Sequence, residues 1–282
     1  MARDFSQRRK PQFQLPPGAT DAHCHVFGPG SVFPYAPNRR YTPEDAPKED
    51  LAALHKHLGV SRAVIVQASC HGSDNRAMLD AIASNPKIYR GVGIVGATTP
   101  PTDYPKLAQG GVRGIRFNFV RHLGGKPDLD LLETAVRRIK PLGWHVVFHV
   151  DAPDIEDLSD LILKQTVPVV IDHMGRVPAK DGVDQPPFKA LLKLAEHKHV
   201  WVKVCGAERI SMPPYDEAIP FARKLLEVAG DRTLWGTDFP HPNSTHEADE
   251  ADLVDLVQKF APDPAMQKML LVDNPAKLYG FI

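Results

Sequence analysis

The chain has 282 residues, 43% hydrophobic and 24% charged, with 34 basic residues against 34 acidic ones. That length and apolar content suit one α/β domain with a sizeable core and argue against a disordered chain. A formal net charge of zero gives no global attraction for nucleic acid or an anionic membrane, so any pull on anions must come from a local cluster.

Residues 1–15 are polar and basic, lack the apolar stretch of a secretory signal, and are expected to form a flexible arm ahead of one domain over 16–282. From Thr20 onward short apolar runs alternate with longer amphipathic stretches. The runs are DAHCHVF (21–27), RAVIVQAS (62–69), GVGIVGA (91–97), RGIRFNF (113–119), WHVVFHV (144–150), PVVIDHM (168–174), VWVKVCG (200–206) and TLWGTDF (233–239). Near-continuous apolar runs are what a parallel strand buried on both faces requires. His55 and His57, between the first two runs, fall in a helical pattern and are expected at the surface. DNRAMLDAIASNP reads as a helix capped by Asp74 and ended before Pro86. LDLLETAVRRIKPLG places Leu129, Leu132, Val136 and Ile139 at helical spacing and stops at Gly143. PFARKLLEVAG repeats the design with Gly230 at its end. His197 and His199 flank a helix end, where they would serve the helix dipole. PAMQKMLLVDNPAKLYGF reads as a closing C-terminal helix or pair of helices. Eight strand–helix alternations favour a single (β/α)8 barrel over an open sheet.

Three separated cysteines, Cys24, Cys70 and Cys205, with no CxxC spacing suggest a reduced, cytoplasmic protein. No apolar stretch approaches the ~20 residues of a membrane span. Cys70 has no base committed to it and reads as a loop residue, with His71 beside it able to line a pocket.

In a barrel of this kind the active site lies at the C-terminal ends of the strands. The unusual polar residues concentrate there. His23 and His25, two apart in the first run, point to one face. The fifth run ends in His149, the sixth in Asp172 and His173, and the eighth in Asp238, followed by His241. A lone histidine in an apolar strand is usually a satisfied core residue. Four histidines and an aspartate at strand exits make a costly set of polar groups that points to one shared site.

This arrangement resembles the amidohydrolase superfamily. The segments DAHCHVFGP, VIVQASCHGSDN, GIRFNF, VIDHMGR and WGTDFPHPN are similar to its branch of pyrone-dicarboxylate hydrolases and related lactonases, across nearly the whole barrel. The resemblance implies hydrolysis of a small anionic lactone in aromatic-compound breakdown. Asp238 would be the general base for water, with His23, His25 and His173 polarising the carbonyl and stabilising the oxyanion. Arg116, Arg209, Tyr41 and Ser69 would contact the substrate, with Arg176 and Asn243 as further candidates; arginine suits carboxylate recognition through its planar fork.

Two positions depart from the branch. Its members carry a further arginine after RFNF, where this chain has His122, with Arg121 the nearest arginine. They also carry a tyrosine in the fifth strand where this chain has His149. His23, His25, His149 and Asp238 would make a single Zn2+ site with water in the open position; the alternative is a metal-free site. The altered anion contact also leaves a sulfonated lactone open as substrate. A metal-dependent decarboxylase or hydratase of the same superfamily, and a non-catalytic binding protein, are the readings from other classes.

Overall fold

The computed structural model of the chain describes residues 3–125 and 127–282. The apolar runs form β1 (Thr20–Cys24), β2 (Arg62–Val66), β3 (Tyr89–Gly93), β4 (Val112–Asn118), β5 (His145–His149), β6 (Val169–Ile171), β7 (Val200–Lys203) and β8 (Thr233–Leu234). They pair in parallel and in sequence order. The two edges meet through backbone hydrogen bonds. Ala22 N donates to Trp235 O at 2.8 Å, Asp238 N to His23 O at 2.7 Å, and His25 N to Phe239 O at 2.8 Å. These bonds close the sheet into the expected (β/α)8 barrel.

The outer layer comprises α1 (Lys48–Leu58), α2 (Arg76–Ser84), α3 (Asp103–Gln109), α4 (Leu129–Ile139), α5 (Ile155–Leu163), α6 (Pro186–Ala195), α7 (Ala207–Ile210), α8 (Ile219–Ala229) and α9 (Glu250–Phe260). A further helical stretch, Pro264–Tyr279, closes the chain. In α4 the Asp128 carboxylate accepts from Asp130 N and Leu131 N, while Leu132, Val136 and Ile139 face the core. Leu129, expected on that face, is 52% exposed because it sits at the first helical position, before the buried stripe begins. Asp74 does not hold the cap position of α2; Asn75 does, and Asp74 accepts from Arg76 N at 3.2 Å. No helix among the described residues is long and apolar enough to cross a membrane.

Two further expectations change. The segment read as a flexible arm is seated on the barrel from residue 3 onward. Arg3 pairs with buried Asp50, Arg8 with Glu250, and Arg9 with Asp252 and Asp255, while Phe5 is buried. His55 is buried rather than at the surface, because α1 turns it toward Asp21, with Nε2 3.1 Å from Oδ2.

Inside the barrel Ala22, Val64, Val66, Val92, Val147, Val170 and Leu234 form a small apolar plug. Polar side chains crowd the strand-exit end. Strand β1 breaks register between Asp21 and Cys24, a bulge-like irregularity that re-aims side chains. Asp21 fixes this seam from below. Its Oδ1 accepts from His23 N (3.1 Å) and Thr237 N (3.0 Å), and its Oδ2 accepts from Thr237 Oγ1 (2.6 Å). Replacing Asp21 by alanine strands several buried donors, so Asp21→Ala is expected to lower unfolding stability by about 3 kcal/mol. Urea denaturation checks this; a midpoint equal to wild type would refute the role of this carboxylate.

Candidate active site

The strands stop earlier than their apolar runs, and tight turns carry the functional groups. β6 ends at Ile171 and His173 follows at φ 52°; β8 ends at Leu234 and Asp238 follows at φ 60°. Left-handed backbone at non-glycine residues is strained and persists only where surroundings enforce it. Two glycines make room for these turns. A Cβ on Gly236 would lie 2.5 Å from His23 N, and one on Gly206 would lie 2.9 Å from the His173 ring.

Asp238 occupies the centre of the site and is 1% exposed. Its Oδ1 lies 3.1 Å from His25 Nε2 and 3.5 Å from His23 Nε2, and its Oδ2 lies 4.0 Å from His173 Nε2. Arg209 donates to Oδ2 from Nε at 2.7 Å, with Nη2 at 2.6 Å, and to Pro242 O from Nη1 at 2.7 Å. Burial opposes ionisation of Asp238, but the Arg209 guanidinium holds the carboxyl well below the usual range. It is therefore a carboxylate at neutral pH.

The imidazoles of His23, His149 and His173 are neutral. Burial lowers His173 to about 3, and it holds His23 and His149 well below an ordinary histidine, helped by Lys203 at His23 and Arg116 at His149. His25 hydrogen-bonds Val66 O through Nδ1 at 2.7 Å, and His173 Nδ1 lies 3.4 Å from Cys205 Sγ. The arrangement can take a proton at Asp238 and offer neutral imidazoles to a developing negative charge.

The pocket is lined by His25, Tyr41, Ser69, Arg116, His122, His149, His173, Arg176, Arg209, Asp238 and Asn243. Each arginine in it is oriented by a carboxylate: Arg116 Nε lies 2.9 Å from Asp172 Oδ2, Arg176 Nε 3.1 Å from Asp151 Oδ1, and Arg209 against Asp238. Arg121 is not in the pocket. Its side chain is 72% exposed and turned outward to Asp154, while His122 takes the place at the mouth. His71 lies outside the pocket too; its Nε2 accepts from Gly28 N at 3.2 Å and holds a loop. Burial pushes the Cys70 thiol up to about 11, which leaves it protonated.

The zinc set expected from the sequence is only partly assembled. Ligand atoms of His23, His25 and Asp238 lie within 4.8 Å of one another, so these groups are placed where they could hold a metal. His149 is not part of that group; both its ring nitrogens are buried without a hydrogen-bond partner. The Nδ1 atom of His23 lies 2.9 Å from Lys203 Nζ. An ammonium only donates, so the His23 ring proton belongs on Nε2, the atom a metal would need as a lone pair. As arranged, these side chains do not fit the four-ligand zinc set.

Lys203 was not singled out from sequence, although a lysine inside VWVKV is a signal: a period-2 strand places it on one face with Trp201. It is fully buried, 3.2 Å from Asp172 Oδ1. Lys203 and Arg116 hold Asp172 well below the usual carboxylate range against the cost of burial. Behind Arg209 lies a second group, in which His241 meets two carboxylates that sequence reasoning missed, Glu208 and Glu250. Glu208 is 3.5 Å from Arg209 Nε and 3.6 Å from His241 Nδ1, and His241 Nε2 is 3.4 Å from Glu250. The two carboxylates outweigh the desolvation of His241 and raise it to about 10. An unfolded histidine titrates near ~6.5. The stabilisation is thus complete below pH ~6.5 and lost as pH rises through about 10. Unfolding free energy should fall across that window by about 1.4 kcal/mol per pH unit from this group. His241→Gln should flatten that slope; urea titrations from pH 6 to 10 check it, and equal slopes would refute the assignment.

Residues 20–281 match the amidohydrolase family model. Over 98% of its length the chain is 47% identical to a 2-pyrone-4,6-dicarboxylate hydrolase of Comamonas testosteroni, covering 94% of that protein. It is 44% identical to a 4-sulfomuconolactone hydrolase of Rhizobium radiobacter, over 96% of this chain and 92% of that one. A solved structure from Acinetobacter baumannii, described as a probable 2-pyrone-4,6-dicarboxylic acid hydrolase with citric acid bound, superposes with a TM-score of 0.83 at 27% identity. That match covers 94% of this chain and all of the other. With a closed parallel barrel, strand-exit histidines and a central aspartate in place, the chain belongs to the amidohydrolase family.

Proposed function

We propose that the protein is a lactonase that opens a small anionic lactone with water, in the breakdown of aromatic compounds. The observation that carries this reading is the buried, ionised Asp238 ringed by three imidazoles beside three pre-oriented guanidinium groups. Water is too weak a nucleophile at neutral pH and needs a base. Asp238 accepts a proton as the water oxygen adds to the lactone carbonyl carbon. The resulting oxyanion takes hydrogen bonds from the imidazoles of His23 and His173, with His25 completing the ring around the carboxylate. Collapse of the intermediate breaks the ring C–O bond, the electron pair leaves on the ring oxygen, and the proton held by Asp238 neutralises it. The products are a carboxylic acid, which gives up its proton to solvent, and a hydroxyl or enol on the same open chain. No step is assigned to a metal.

Recognition of the anion falls to Arg116 and Arg176, with Arg209, Tyr41, Ser69 and Asn243 around the same pocket. Arg121 is no part of the clamp, and His122 at the mouth offers a smaller, less charged contact. The hydrolase relatives at 47% and 44% identity are named for a dicarboxylated pyrone and a sulfonated muconolactone, and both ligands are compact anions. Citric acid in the Acinetobacter neighbour is also a polycarboxylate.

Incubation with 2-pyrone-4,6-dicarboxylate and with 4-sulfomuconolactone tests the reading. Ring absorbance should disappear for at least one of them with no CO2 released; CO2 evolution would replace hydrolysis by decarboxylation. Asp238→Asn should lower kcat by ~10^2–10^4-fold. Arg116→Met should act chiefly on KM, raising it ~10-fold or more through loss of a charged contact of ~1.5–3 kcal/mol. Arg121→Ala should leave both constants within about twofold, as expected of an exposed ion pair; a large rise in KM there would restore it to the anion site.

A further inference from the structure

We infer that Lys203 is a positioning residue that fixes the ring tautomer of His23 and thereby makes the histidine pair of β1 a hydrogen-bonding device closed to divalent metal. The inference rests on the site geometry and does not depend on which lactone is turned over. A fully buried lysine is rare and needs partners. Lys203 has two, His23 Nδ1 at 2.9 Å and Asp172 Oδ1 at 3.2 Å. His23 Nδ1 also lies 3.3 Å from Asp172 Oδ1, yet neither oxygen of Asp172 meets hydrogen-bond geometry with any donor. The bond from Lys203 Nζ is therefore the one that His23 Nδ1 makes. A ring nitrogen that accepts there leaves the proton on Nε2, which points at Asp238 Oδ1 from 3.5 Å.

His25 is set the other way. Its Nδ1 lies 2.7 Å from the Val66 carbonyl, which only accepts, so that nitrogen carries a proton, and its Nε2 lies 3.1 Å from Asp238 Oδ1. The two histidines thus have opposite partners at Nδ1, a donor at His23 and an acceptor at His25. A metal-binding pair needs both Nε2 lone pairs, with each Nδ1–H held by an acceptor. Val66 O supplies that acceptor to His25. At His23 the acceptor is at hand, Asp172, but the ammonium of Lys203 stands nearer and adds a positive charge beside the ligand atom. Removing that ammonium lets His23 Nδ1–H turn to Asp172, which frees Nε2.

The test reads tautomer and metal rather than turnover. In wild-type protein labelled with 15N-histidine, the His23 resonances, assigned by their absence in His23→Gln, should show a protonated Nε2 and an unprotonated Nδ1. After incubation with excess Zn2+ and dialysis, wild type should retain well under one equivalent. Lys203→Met should retain close to one equivalent, and its His23 ring should change to the Nδ1–H form. A wild-type His23 with Nδ1–H, or wild type holding one full equivalent of zinc, would overturn the inference, and so would a folded Lys203→Met with no more zinc than wild type. If Lys203→Met fails to fold, the wild-type spectrum and zinc content decide alone. Failure of the lactone assays would leave these readouts untouched, so the two conclusions fail separately.

Discussion

The backbone seam between β1 and the turn after β8 is the constraint on which the site depends. Asp238 N donates to His23 O, and His25 N donates to Phe239 O. Asp238 and the histidine pair are therefore locked to one another through these two backbone hydrogen bonds, although more than 200 residues of sequence separate them. Gly236 permits this approach, because any side chain there would collide with the backbone of His23. Asp21 ties the same seam from beneath by accepting from both strands. Chemistry that needs a carboxylate and an imidazole within about a hydrogen bond of each other is thus secured by barrel closure itself.

Charge is arranged around that seam in alternating pairs. Arg209 bridges Asp238 and Glu208, His241 bridges Glu208 and Glu250, and Arg8 of the N-terminal segment closes the series at the surface. Asp172 similarly lies among Arg116, Lys203 and His23. Buried charges survive only when paired, and here the pairing also aims the guanidinium groups into the pocket before any ligand arrives. The imidazoles of His23, His149 and His173 are left neutral by burial, which suits them to donate or accept one hydrogen bond rather than to attract an anion.

Several parts of this molecule were legible in the chain. The strands announced themselves as short Val- and Ile-rich runs, and their alternation with amphipathic stretches implied a parallel barrel, because only strands covered on both faces can be apolar on both. His23, His25, His173 and Asp238 stood out as polar groups in places that burial makes expensive. Other features were hidden for a physical reason: a side chain's direction and partner are not local properties. Arg121 and His122 are adjacent, yet Asp151 and Asp154 draw the first outward and leave the second at the pocket mouth. His55 looked like one face of a surface helix until α1 was laid over Asp21. The N-terminal segment is polar and looked unattached, but its arginines find acidic partners on α9 that lie some 240 residues away.

By itself, then, the sequence determined the architecture, the end of the barrel where the buried polar groups gather, and which histidines and aspartate meet there. Periodicity and the cost of burying polar atoms act within a few residues and can be read along the chain. The tertiary structure alone decided which groups stand beside the two nitrogens of His23, that His149 stands apart from the other candidate metal ligands, and which arginines line the pocket. Those outcomes depend on distances of about 3 Å between groups on different strands, and no local rule of sequence encodes them.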